Sequence, residues 1–399
     1  MCRAGCGSVT EKTKAQLDAE KTAAAARELT RRTVLRGVAA GAALAAGPFA
    51  VSRGVLASSG EIDIMMWSDY LPPKFIADFE AASGIKVNYS GIGSNEEIIA
   101  KTKASQGQGF DLISPTNMRA PQWQLLELVQ PFDMNRIDTA SVNPAMLNIG
   151  VREWDFDGKG VHWLPHIWGT EGIGWRTDKW SPGDGVPSYG DIWADENAGK
   201  TMGRPHSMML GAGLYMEAAE LMDPGSVWQA YQSEEKMHQT WTKISEFCIG
   251  RKGNIKLLWN DADAQKNGLL TGGVVVGQTW DGPPLALKTA GEPVTYQAPK
   301  EGALAWVDGL AMPIGAKNID QIYEFLKFAF EPEPAGKAID KHGYNSAVIG
   351  ADAFANDQYR KNFAEAYPDG ALANLNPWPS EPQWYADLRT EYRDKFVNA

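Results

Sequence analysis

Cysteine is nearly missing from this chain of 399 residues: of three, Cys2 and Cys6 stand at the start, which leaves Cys248 alone in the body. One thiol closes no internal disulfide and builds no cysteine-based metal site, so Cys248 is expected to be buried and inert. Histidine is scarce as well, five in all. It is the commonest general base, and no Gly-x-Ser-x-Gly elbow, His-Glu-x-x-His pair or phosphate-binding loop occurs. An enzyme is therefore disfavoured. Positive charge is also in deficit, with a net charge of -11. Setting residues 1–57 aside leaves 29 basic against 45 acidic side chains, which argues against nucleic acid or an anionic membrane as the main partner.

No apolar run is long enough for a membrane span of about 20 residues. The nearest is Gly37 to Ala50, rich in Ala and Gly, preceded by Thr30-Arg31-Arg32-Thr33-Val34-Leu35-Arg36 and followed by Val55-Leu56-Ala57. A basic region, a short apolar region and a small-residue site make a secretory signal, and the paired arginines resemble a twin-arginine one. Residues 1–57 are thus expected to engage the twin-arginine export machinery. No Cys follows the apolar run, so a lipid anchor is not expected. The mature protein is expected to be soluble and periplasmic.

The rest of the chain is organised around Ile64-Met65-Met66-Trp67-Ser68-Asp69-Tyr70-Leu71-Pro72-Pro73. An apolar run suited to a buried strand ends in Trp, Ser, Asp and Tyr. Ligands in open α/β sheets sit outside the carboxyl ends of strands, and aromatic faces with a carboxylate suit an organic cation. The competing reading is that Trp67 and Tyr70 merely cover the core. Pro73 suits the first turn of a helix whose face is Phe75, Ile76 and Phe79 and whose stop is Gly84. Ile85 to Tyr89 alternates as a strand, and Ser94-Asn95-Glu96-Glu97 has capping-box spacing. Phe110 to Asn117 is a further strand ending in small polar residues, which brings Thr116 and Asn117 to the edge that carries Trp67 and Asp69. Strand, helix, strand, helix, strand specifies a parallel sheet with helices on its faces. Further on, Gly213 to Met222, Ser226 to Phe247 and Ile319 to Phe330 read as helices, the last capped by Asn318. Trp378 and Trp384, among prolines, are expected to pin the C-terminal segment to the body.

Trp67-Ser68-Asp69-Tyr70, Ser83 to Val87, Ser94-Asn95-Glu96 and Phe110 to Pro115 resemble the spermidine/putrescine-binding proteins of bacterial ABC importers. The likeness continues through His166 to Gly174, Thr279-Trp280-Asp281-Gly282 and Pro299 to Pro313. Any one segment is weak, but they follow in family order. The resemblance implies an α/β, two-lobed periplasmic binding protein fold of type II character, each lobe a mostly parallel sheet flanked by helices, with several crossovers. Its expected division is residues 58–166 plus 282–310 for the first lobe and 167–281 plus 311–399 for the second. Gly- and Pro-punctuated runs at 166–174, 278–284 and 310–315 suit hinges.

By the same resemblance, Trp67 and Tyr70 are part of an aromatic box, Asp69 pairs with an ammonium, Trp280 is the opposite wall with Asp281 beside it, and Trp306 and Asp308 complete the cleft with Tyr344. Ser68, Thr116 and Asn117 are further candidates. No cofactor and no metal are implied; the partners are a small cationic amine such as putrescine or spermidine and a membrane permease, for a protein expected to be a monomer. One departure stands out. Where relatives carry an acidic cluster in the second lobe, this chain reads Gly203-Arg204-Pro205-His206-Ser207. Glu171, with Asp261, is expected to replace the lost acids; otherwise a monoamine, or a zwitterion whose carboxylate meets Arg204 or His206, fits better. Iron binding is a further alternative.

Overall fold

The structure, a computed structural model, describes residues 60–399, so the signal reading of residues 1–57 lies outside the described residues. Its twelve strands are β1 (Glu61–Trp67), β2 (Lys86–Ile92), β3 (Leu112–Ile113), β4 (Val129–Gln130), β5 (Trp163–Arg176), β6 (Thr201–Gly203), β7 (Ile255–Leu258), β8 (Val276–Trp280), β9 (Val294–Gln297), β10 (Leu304–Pro313), β11 (Asn345–Ser346) and β12 (Asn376–Pro377). The main path runs β2-β1-β3-β10-β5-β8-β6-β7. At one end β1 pairs in parallel with β2 and β3; at the other β6 pairs in parallel with β7 and β8. The long strands β5 and β10 run antiparallel to each other between these groups. The result is a two-lobed α/β molecule with mixed pairing at its waist.

The first lobe follows its sequence closely. Ile62, Ile64, Met65 and Met66 of β1 are fully buried, as the continuous apolar run of a parallel strand covered on both faces requires. The helix Pro73–Ser83 starts on a proline and stops at Gly84 in the left-handed region, φ 74°, where its N–H reaches the Glu80 carbonyl. Ser94 caps the helix Asn95–Ala104 by accepting from the Glu97 N–H. Glu97 itself reaches back to the Gly93 N–H, one residue before the position a capping box uses. Cys248 is buried and free, and burial pushes its thiol up.

Two segments pack otherwise than the sequence-based division has them. The helices Ile319–Ala329 and Pro332–His342 lie against Pro73–Ser83, where Phe75 and Phe79 meet Phe325 and Phe328 at ring distances of 5.2–6.1 Å. Conversely, the helix Gly282–Thr289 packs on β9, which pairs with the far end of β5. The reason is local. Asp281 donates its N–H to the Thr170 carbonyl, accepts from Gly282, and Pro283 follows in the first turn, so the chain winds into a helix at 282. Asn318 does not cap its helix with its side chain; its amide donates to Asp111 at 2.9 Å.

The waist is tight. A Cβ on Gly309 would stand 2.1 Å from the Trp163 ring and 2.3 Å from the Leu164 carbonyl oxygen, at the point where the β5–β10 register shifts. A backbone oxygen cannot swing aside, so Gly309→Ala is expected to destabilise the protein by about 1–3 kcal/mol. Urea denaturation followed by tryptophan fluorescence checks this; an unchanged midpoint would show that the two strands can spread apart.

Candidate functional site

Between the two strand groups lies a narrow hollow. The carboxyl ends of β1 and β8 both open on it, and each ends in tryptophan. Trp67 is held by its indole N–H on the Ser114 carbonyl at 3.0 Å, and its ring meets Trp280 edge-on at 5.7 Å. Trp259 backs Trp280 at 4.9 Å. Tyr70, in the turn after β1, meets Tyr344 at 5.4 Å, and Tyr344 meets Trp306 of β10 at 5.6 Å. Five aromatic side chains from four separate stretches thus wall one space.

Carboxylates stand among these rings. Asp308 and Trp306 lie two residues apart on β10 and so share a face. Asp308 is 3% exposed and accepts from the Tyr70 hydroxyl on Oδ2, while its Oδ1 is buried without a partner. Burial pushes its pKa up to about 7. Asp69 follows Trp67; its Oδ2 is likewise covered and unpartnered, and burial raises its pKa to about 6. Glu171, on β5 opposite Trp280, is fully buried, accepts from Gln278 Nε2 at 2.9 Å and is raised by burial. Thr116 lines the same space and is held by Asn95 at 2.8 Å.

The other side of the hollow is basic. Arg119 lies 2.9 Å from Glu96 and 3.4 Å from Glu381; Arg389 lies 3.0 Å from Glu96 and 3.4 Å from Glu381. Two cations and two anions close on each other. Burial raises Glu96, but the two guanidiniums outweigh it and hold Glu96 well below the usual carboxylate range. Arg204 is separate: 8% exposed, it forms no ion pair among the described residues, and its Nε is buried without a partner. Its guanidinium carbon lies 5.5 Å from the centre of the Trp280 ring. Burial and the neighbouring guanidiniums push His206 well below its ordinary value, so the ring is neutral.

Of the residues singled out in the sequence, Trp67, Asp69, Tyr70, Thr116, Glu171, Trp280, Trp306, Asp308 and Tyr344 line the hollow. Three do not. Ser68 is exposed and donates to the Ile92 carbonyl at 3.0 Å, because the turn rolls it outward. Asn117 accepts from the Val307 N–H and fastens β10. Asp281 is consumed by Tyr367 at 2.8 Å and Asn345 at 3.0 Å, behind the wall. Asp261 caps the helix Ala262–Leu270 by accepting from Ala264. Sequence reasoning missed the ion-paired quartet and the lining role of Trp378. Arg389 sits in the helix Gln383–Asn398, almost three hundred residues from Glu96, and no local pattern announces the pairing. Among the described residues no three His, Cys, Asp or Glu side chains gather as a metal site would need.

The family model for bacterial extracellular solute-binding proteins matches residues 74–365. The chain is 29% identical over 347 residues to the putrescine-binding periplasmic protein PotF of Escherichia coli K12, an overlap of 82% of this chain and 88% of that one. It is 26% identical over 333 residues to the spermidine/putrescine-binding periplasmic protein of the same strain, covering 82% and 89%. Among solved structures, the spermidine/putrescine ABC transporter substrate-binding protein PotD of Streptococcus pneumoniae superposes with a TM-score of 0.63 at 21% identity, over 85% of this chain and 98% of that one. The last likeness shows the fold, that of a periplasmic binding protein.

The buried acids have a consequence for the ligand-free protein. Their folded pKa values, about 6 and about 7, lie above the ordinary 3.8. The folded state therefore holds more protons than the unfolded one, and stability falls as pH rises from about 4 through 7. Asp308→Asn removes one such group, so its melting temperature is expected to approach the wild type's as pH falls towards 4 and to exceed it by a few degrees at pH 8. A difference that is independent of pH in differential scanning fluorimetry would contradict the assignment.

Proposed function

The chain belongs to the bacterial extracellular solute-binding proteins, and from that premise we propose that this substrate-binding component of an ABC importer captures a small amine in its ammonium form. It is a binding protein and not an enzyme. The observation that supports the ligand class is the pair of unpartnered carboxyl oxygens, Asp69 Oδ2 and Asp308 Oδ1, inside a hollow walled by Trp67, Tyr70, Trp280, Trp306 and Tyr344. A buried acceptor without a donor is costly, about 1–3 kcal/mol. An ammonium has three donors and no acceptor, and an aromatic face attracts it by roughly 0.5–2 kcal/mol. A few such contacts, less the cost of association, reach about -8 kcal/mol, a micromolar affinity. The relatives named for putrescine and spermidine bind ligands of this class.

Binding works by closure. Trp67 of one strand group already touches Trp280 of the other, so the arrangement is a shut one, and ligand must enter through a form in which these rings part. A ligand that bridges both sides shifts that equilibrium by its differential contacts. The shut form then presents a joined surface to the permease. We propose further that residues 1–57 direct twin-arginine export and that the mature monomer acts in the periplasm.

Titration calorimetry with purified protein tests the ligand class. A primary amine is expected to bind at micromolar concentration, with Asp308→Asn weakening it about 10–100-fold through loss of a charge-assisted contact. Trp280→Ala should weaken it by roughly tenfold, and the matching alcohol should not bind. Equal binding of the alcohol would end the ammonium reading.

A further inference from the structure

We propose that the captured amine carries a carboxylate at its other end and that Arg204 receives it, which makes the ligand a linear ω-amino acid or a zwitterion of that shape. This rests on the ammonium reading above and adds the second half of the molecule.

The basis is the unequal fate of three arginines on the same side of the hollow. Arg119 and Arg389 are balanced by Glu96 and Glu381 within 3.4 Å, so neither has charge to spare for a guest. Arg204 is also buried and lines the same hollow, yet it forms no ion pair among the described residues; its Nε, like those of Arg119 and Arg389, has no partner. Glu96 and Glu171 act on Arg204 only from beyond ion-pair distance, and its guanidinium is a planar donor fork matched to a carboxylate. The backbone adds to this. Arg204 stands at the start of the 14-residue helix Pro205–Ala218, which begins with no side-chain cap. The partial positive charge of that helix end favours an anion. His206, neutral and lining the hollow, can add one N–H.

Glu171 is the group that would have to receive a second ammonium if the ligand were a diamine. It is already engaged by Gln278 Nε2 at 2.9 Å, and the nearby Arg204 charge acts on it. A distal ammonium placed there would meet the Arg204 cation. A distal carboxylate would meet a cation and a helix N-terminus instead. Trp280 joins the two ends, since its ring touches Trp67 at 5.7 Å on the acidic side and Arg204 at 5.5 Å on the basic side. The guest's methylenes would lie along that ring.

The test is calorimetry on the purified wild-type protein with three matched series of roughly three to six carbons: n-alkylamines, α,ω-diamines and ω-amino acids. The expected result is that the best ω-amino acid binds at least about tenfold tighter than the alkylamine and the diamine of equal length. Arg204→Met should then cost the amino acid at least about tenfold while leaving the alkylamine within about threefold, and Arg204→Lys should recover part of the loss. A diamine that binds more tightly than the amino acid of its length overturns the proposal and leaves the ammonium reading intact. Equal weakening of amine and amino acid by Arg204→Met overturns it too, because Arg204 would then only support the wall. If no amine binds but butanoate does, both readings fall. Should Arg204→Met not fold, the wild-type ranking of the three series decides alone.

Discussion

The antiparallel pairing of β5 with β10 is the constraint from which the rest follows. The two strands are paired from Leu304 opposite Glu171 to Ala311 opposite Trp163, and they carry the chain between the two parallel groups. Their side chains alternate, so Trp306 and Asp308 share the face that looks into the hollow. Glycine makes the approach possible: a Cβ on Gly169 would stand 2.5 Å from the Trp306 ring and 2.6 Å from Asp281 Oδ1. The aromatic wall and the acid behind it therefore depend on a residue with no side chain. Binding chemistry and backbone geometry are the same problem at this point.

Charge is arranged in two regimes within a few residues of each other. The Glu96, Arg119, Glu381 and Arg389 quartet is ion-paired within the chain, and its two guanidiniums keep Glu96 ionised. Asp69 and Asp308 each keep one oxygen without a partner, and Arg204 is in no ion pair among the described residues; burial raises the two acids to about 6 and about 7. Among the buried acids, the ligand-facing ones are told apart by an oxygen left open, not by residue type or burial. Asp281 shows the difference clearly: it is as buried as Asp308 and has a similar pKa of about 7, yet Tyr367, Asn345 and the Gly282 N–H occupy it.

Much of the first lobe was legible because its signals are local. An apolar run, a proline at a first turn, a glycine at a stop and a serine cap specify β1 and the helices Pro73–Ser83 and Asn95–Ala104. The aromatic and acidic residues of the cleft were legible as types at the ends of apolar strands. The faces of Ser68, Asn117 and Asp281 were not, because a turn or strand end leaves side-chain direction to tertiary contacts. The destinations of Gly282–Thr289 and Ile319–His342 were also hidden. None of these three helices carries a local signal of which lobe covers it. The quartet joins positions 96, 119, 381 and 389, a separation that no periodicity spans.

The helix that holds Arg389 packs on the helices Pro205–Ala218 and Glu234–Gly250, whereas Glu96 and Arg119 belong to the stretch around β2 and β3. The quartet is thus a clasp that ties the two strand groups together across the mouth. Because such a clasp is ionic and its Glu96 is part exposed, dissolved salt would loosen it.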